Sequence, residues 1–172
     1  MSGPPPEPAA PSGDLLELYD RALPVVYGYL VSRVGDPATA EELTSEVFLA
    51  AVAATGRPGA APIDTPWLVG VARHKLVDHW RRREREQRRL AAVAAEPTGD
   101  DDPWDGRVDV LLAREALGRL GPANRMALTL RYVDGLSVPE VARELGRTRR
   151  ATEALVVRAR AAFRRAYEGE DG

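Results

Sequence analysis

The stretch TPWLVGVARHKLVDHWRRREREQRR, residues Thr65–Arg89, reads as one unbroken helix. Asp64 or Thr65 can cap its first free N–H groups, and Pro66 suits a first turn, where its missing N–H is no loss. Nothing breaks the pattern before Arg89, so the rod would run roughly 36 Å at 1.5 Å per residue. At four-residue steps Leu68, Ala72, Leu76 and Trp80 line one side, flanked by Val69 and Val71, the pattern of a core-facing stripe. The opposite side carries Trp67, His74, Asp78, Arg81 and Arg85, and the last turns are mostly arginine. Local positive charge on a rigid rod, in a chain of formal net charge −2, points at phosphate. The stretch alone leaves a second reading open, a solvated tail in which Glu84 and Glu86 pair with the arginines.

Composition sets the frame around this helix. A length of 172 residues allows one domain or two small ones. Hydrophobic content of 44% and charged content of 29% are those of a soluble globular protein. Helix formers outweigh strand formers, so the expected class is all-α. Cysteine is absent, which excludes disulfides and thiolate metal sites and fits a reducing compartment. No apolar run approaches the ~20 residues of a membrane span, and the N-terminus has neither a basic nor an apolar leader segment. The expected location is cytoplasmic, with no membrane contact of the chain's own.

Upstream of the long helix, Met1–Gly13 is rich in proline and small residues and reads as a disordered tail. A first helix begins near Asp14 with Leu15, Leu16, Leu18, Tyr19, Ala22 and Leu23. Pro24 then predicts a kink or a break before the pattern resumes at Val26, Tyr27, Tyr29 and Leu30. Gly35-Asp36-Pro37 marks a boundary, with Asp36 as cap and Pro37 at the first helical position. The next helix, to about Ala54, has Leu43, Val47 and Ala50 along its apolar side, and Glu42 and Glu46 share another face. Thr55–Pro62 is a Gly/Pro loop.

Downstream the character changes. Ala91–Val108 is rich in Asp, Gly and Pro and reads as an acidic linker. It divides the chain into helical units over 14–90 and 109–168. The second opens with a helix over about Asp109–Leu120, stopped by Gly121-Pro122. Another runs on to about Val133, with Met126, Leu130 and Val133 apolar and Gly135 closing it. Ser137-Val138-Pro139-Glu140 is a capping box, predicting a short helix to Leu145. Gly146-Arg147-Thr148 makes a tight turn, and Thr148 can cap a final helix with Thr152, Val156, Ala159 and Phe163 inward. A short helix, a glycine turn and a longer helix with polar residues at its start is the helix-turn-helix pattern.

Taken together, the chain resembles the bacterial RNA polymerase sigma factors of the extracytoplasmic-function (ECF) type, which keep only regions two and four of the larger family. The resemblance runs through GDPATAEELTSEVF (Gly35–Phe48), WLVGVARHKLVDHWRRR (Trp67–Arg83) and LGPANRMALTLRYVDGLSVPEVARELG (Leu120–Gly146), in order across an acidic linker. It implies a protein that binds core RNA polymerase and directs promoter recognition and DNA melting. By resemblance, Asp36, Glu41, Glu42, Ser45, Glu46 and Phe48 meet the polymerase clamp. Trp67, His74, Arg81, Arg82 and Arg85 meet the minus-ten DNA. Arg147, Thr148, Arg149, Arg150, Glu153 and Arg158 meet the minus-thirty-five DNA. An anti-sigma factor is a further implied partner. The chain departs from the family pattern at Ser45, where glutamine is usual, and at His74, where asparagine is common. It departs again at Glu153 and Leu155, where lysine or arginine is common.

Against these readings stand plainer ones. His74 and Asp78, with His79 adjoining, lack a third ligand, so no metal is expected, and Asp78 pairs instead with Arg81, Arg82 or His74. Trp67 can stack on a base or pack beside the core stripe. No triad, phosphate loop or paired carboxylates appear, so neither an enzyme nor a cofactor is expected. Two rival functions remain at this level: a helix-turn-helix repressor or activator that does not bind core polymerase, and a helical protein-interaction adaptor. Tight binding to core polymerase is required only of the sigma factor.

Overall fold

The computed structural model describes residues 13–55, 57, 62–90 and 109–169. The expected N-terminal tail apart from Gly13, most of the Thr55–Pro62 loop and the 91–108 linker lie outside them. Among the described residues the chain is all-α, with helices α1 (Gly13–Val34), α2 (Pro37–Thr55), α3 (Thr65–Leu90), α4 (Val110–Arg119), α5 (Pro122–Leu128), α6 (Val138–Leu145) and α7 (Arg149–Glu168). A π-helical turn, Thr129–Val133, continues α5. By its contacts the chain divides between Lys75 and Leu76, within α3, into two compact units.

In the first unit, α1 and α2 pack as a helical hairpin around a turn of two residues. Gly35 takes φ +77°, which a side chain would resist, and its amide donates to the Val31 carbonyl at 2.9 Å. Asp36 then caps α2, its Oδ2 accepting from the Thr39 amide at 2.9 Å. The core is built at four-residue steps: Leu18, Ala22, Val26 and Leu30 from α1, then Leu43, Val47 and Ala51 from α2. Burial of each such leucine or valine contributes roughly 1.5–3 kcal/mol. Two expectations need correction here. Ala50 is only half-buried, and Ala51 takes its place in the stripe. Of the kink or break expected at Pro24, the break does not occur: α1 is one element from Gly13 to Val34. Pro24 and Asp20 are both exposed, so the Asp20 carbonyl that proline leaves without an amide lies on the wet side.

The rod α3 forms as its sequence dictates. Asp64, not Thr65, is the cap, its Oδ1 accepting from the Trp67 amide at 2.8 Å. Leu68, Ala72, Leu76 and Trp80 are all buried, joined by Val77. At 26 residues the helix is about 39 Å long.

In the second unit α7 is the hub, packing on α4, α5 and α6. Met126, Leu130, Val141, Leu155 and Ala159 fill its centre. Asp109 caps α4, and its own amide donates to the Tyr167 hydroxyl at 2.9 Å. The Arg125 guanidinium closes the other end of α4 by donating to the Leu117 carbonyl at 2.8 Å and to the Gly118 carbonyl. Burial, and secondly the charge of Arg83, push the pKa of that guanidinium below its ordinary value. The apolar pattern places Val133 inside, but it is 54% exposed. The π-helical turn is the cause: the Asp134 amide reaches back five residues to the Thr129 carbonyl at 2.9 Å, so residues after Leu130 leave the α-helical register.

Candidate nucleic-acid and protein interfaces

The residues assigned to the polymerase clamp fall on different sides of α2. Glu41, Glu42 and Ser45 are exposed. The Ser45 hydroxyl is turned back on its own helix, donating to the Glu41 carbonyl at 3.0 Å. Asp36 is the helix cap. Glu46 is half-buried and pairs with Lys75 of α3 at 3.1 Å. Phe48 packs its ring against Tyr19 of α1, centroids 4.7 Å apart. The outward stripe continues from Ser45 into Leu49 and Val52, 69% and 56% exposed. Sequence reasoning missed these two, although their spacing from Ser45, four and then three residues, was the available signal.

Along α3, Trp67 is half-buried and His74 exposed in the first unit. In the second unit Arg81 stands 3.8 Å from Asp78, one of the pairings expected for that aspartate, and its Nη2 donates to the Glu144 carbonyl at 2.6 Å. It thus serves as a cation at the C-terminal end of α6, where the helix dipole favours positive charge. Glu84, only 14% exposed, pairs with Arg88 at 2.6 Å and with Arg147 at 3.0 Å. Arg82 and Arg85 are exposed. The basic end therefore mixes both sequence readings: Glu84 does pair with arginines, while Arg82 and Arg85 project outward.

The helix-turn-helix is built from α6, Gly146 and α7. The capping box is present in both directions: Ser137 Oγ accepts from the Glu140 amide at 3.4 Å, and Glu140 Oε2 accepts from the Ser137 amide at 2.7 Å. Gly146 takes φ +60°, and the Arg147 amide donates to the Ala142 carbonyl at 3.0 Å. Thr148 Oγ1 accepts from the Ala151 amide at 3.2 Å and so starts α7. Thr152, Leu155, Val156 and Ala159 face inward. Leu155 is thus a core residue and not an altered DNA contact. The exposed face of the first turns carries Arg149, Arg150, Glu153 and Ala154, with Arg158 half-buried beyond them. Arg149 Nε donates to Glu153 Oε1 at 2.8 Å.

The second unit also holds an apolar groove of about 400 Å³ that the sequence did not disclose. Ala113, Leu117, Leu128, Tyr132, Val133 and Phe163 line it together with Arg160 and Arg164. Among the described residues no cluster of His, Asp and Glu is arranged to hold a metal ion.

Comparison with known proteins places the helices in two family regions. Sigma-70 region 2 matches residues 18–86 and Sigma-70 region 4 matches residues 111–163. The ECF RNA polymerase sigma factor SigF of Caulobacter vibrioides is 32% identical over 145 residues, which cover 84% of this chain and 80% of SigF. The chain belongs to the ECF sigma factors. BldN of Streptomyces coelicolor, another ECF sigma factor, is 36% identical over 148 residues, covering 83% of this chain. The chain spans only about half of that relative, 56% of its length. The sigma factor RpoE of Bartonella quintana, solved with the anti-sigma factor NepR, has the same fold at a TM-score of 0.53 and 22% identity. That match covers 94% of this ECF sigma factor and all of the solved chain. The helix-turn-helix of this ECF sigma factor thus lies in region 4, and α2 with most of α3 in region 2.

Proposed function

We propose that this protein binds core RNA polymerase in the cytoplasm and directs it to the promoters of a specialised gene set, where it helps melt the DNA. The observation that carries this reading is the order of the two matches, region 2 and then region 4, each supplied with an exposed surface of the required chemistry. We assign the exposed α2 stripe, Glu41, Glu42 and Ser45 with Leu49 and Val52, to the polymerase clamp. Arg82 and Arg85 on α3, with Trp67 and His74 earlier on the same helix, are assigned to the minus-ten region. The start of α7 is assigned to the minus-thirty-five element, entering the major groove by its N-terminal turns as recognition helices do. The protein catalyses nothing itself in this scheme; binding energy to unpaired bases drives strand opening. Residues 14–90 and 109–168 act as region 2 and region 4 units, tethered by 91–108.

An anti-sigma factor is the proposed regulator. The groove between α4, the π-helical turn and α7 suits an amphipathic helix whose apolar side fills it.

The test is reconstitution of the full chain with purified core polymerase, followed by transcription from a genomic promoter library. Co-elution with core enzyme and transcripts from a discrete promoter set are expected. Specific DNA binding without core binding would favour a stand-alone helix-turn-helix regulator. Neither activity would leave only the adaptor.

A further inference from the structure

We infer that Glu153 is a positioning residue that aims Arg149 at a guanine of the upstream promoter element, and that it reads no base of its own. This rests on the sigma-factor reading above and specifies how the first turns of α7 carry it out.

The geometry starts from what α7 buries. With Thr152, Leu155, Val156 and Ala159 inward, the helical repeat turns 150 and 154 directly outward and sets 153 at their flank, while 149, at the open start of the helix, is exposed beside it. Thr148, as cap, fixes the start of the helix against the α6 turn. On that outward face Arg149 and Glu153 stand one turn apart, and Arg149 Nε–H donates to Glu153 Oε1 at 2.8 Å. A guanidinium has five N–H groups in a rigid plane. The bond to Glu153 takes the one at Nε, on the side of the plane. The two Nη groups at the end remain, and that end is the one that pairs bidentately with guanine O6 and N7. The Arg149 side chain is 72% exposed and that of Glu153 48%, so neither is hidden from a groove.

Charge argues the same way. The pair is nearly neutral, so it adds little to the attraction for phosphate that dominates non-specific binding. Arg150, on the same exposed face, remains to supply that attraction. A carboxylate among phosphates is repelled unless a cation holds it there, and Arg149 is that cation. Glu153 also lies about 6 Å further along α7 than Arg149, whereas base edges are met chiefly by the N-terminal residues of a recognition helix. The pair thus trades general affinity for selectivity.

The trade gives an unusual signature. Holoenzyme of the full chain would be tested by selection from a library randomised across both promoter elements. R149A should lower the preference for guanine at one upstream base pair by about 5- to 150-fold, the value of a bidentate contact. E153A should relax the same base pair by roughly 2- to 12-fold, the rotamer freedom that Arg149 regains, while overall DNA affinity rises as the carboxylate is lost. E153Q, whose amide oxygen still accepts from Nε, should keep part of the preference. The R149A/E153A double variant should discriminate no worse than R149A. Relaxation at a different base pair in E153A would show that Glu153 reads its own base and would overturn the inference. Unchanged selectivity in E153A, or a uniform loss across sequences in R149A, would overturn it as well. A wild-type holoenzyme that binds core but ignores the upstream element would instead overturn the function assigned to α7.

Discussion

Reversing the charge of Glu42 and of Glu46 should have different consequences, although both belong to the same acidic sequence motif. Glu46 is paired with Lys75 at 3.1 Å, and both side chains are about one-third exposed. Such a pair is worth roughly 0.2–1 kcal/mol. Glu46→Lys loses that and sets two ammonium groups against each other. At 4 Å and an effective dielectric near 20 the repulsion is about 4 kcal/mol before relaxation, and both long side chains can swing into solvent, so a net loss of about 1 kcal/mol is expected. For a small domain this lowers the melting temperature by about 4–8 °C. Glu42 is exposed, so Glu42→Lys should leave the melting temperature unchanged and still weaken core binding at least tenfold, about 1.4 kcal/mol. Circular dichroism melts and fluorescence titration with labelled core polymerase measure the two quantities. The charge swap Glu46→Lys/Lys75→Glu should restore the melting temperature. Undiminished core affinity in the Glu42→Lys protein would refute the assignment of this face, and an unchanged melt in the Glu46→Lys protein would refute the ion-pair argument.

Three further outcomes are expected. Leu49→Asp and Val52→Asp should weaken core binding while leaving stability intact, since both side chains are more than half exposed; a lower melting temperature with normal binding would show that they pack. Gly146→Ala should destabilise the second unit by about 1–2 kcal/mol because φ is +60°, and Gly146→Asn by less; equal thermal melts for all three proteins would contradict this. Ser137→Ala removes the side-chain half of the capping box and should cost about 1 kcal/mol, measured by the same melts.

Much of the fold was legible because helices announce themselves locally. The stripe Leu68, Ala72, Leu76 and Trp80 is buried throughout, and the caps Asp36, Ser137 and Thr148 each accept a backbone amide from the first turn of their helix. Where the reading failed, a wider context decided. Pro24 stays within α1 because it lies on the solvent side. Val133 is outside because the backbone there bonds back five residues instead of four. The site was legible by region and less so by residue. Periodicity puts Glu42 and Glu46 on one face, but only the position of Lys75 separates them. Likewise Arg81 and Arg147 read as DNA contacts, yet the Glu144 carbonyl and Glu84 also hold them. A one-dimensional pattern gives the direction a side chain faces and is silent about the partner it finds there.

The π-helical turn has a consequence for how this chain can vary. It holds one residue more than an α-helical turn would need, and Tyr132 and Val133, at the groove, are the residues it displaces outward. Deleting a single residue there would let the segment close as ordinary α-helix, re-aiming the residues within the turn while those after it keep their register, because the turn had absorbed the extra residue. Leu128 and Leu130, set before or within the first bond of the turn, would hold their places. A deletion of one codon could thus reshape the mouth of the groove while sparing the interior, a change of partner without a change of fold.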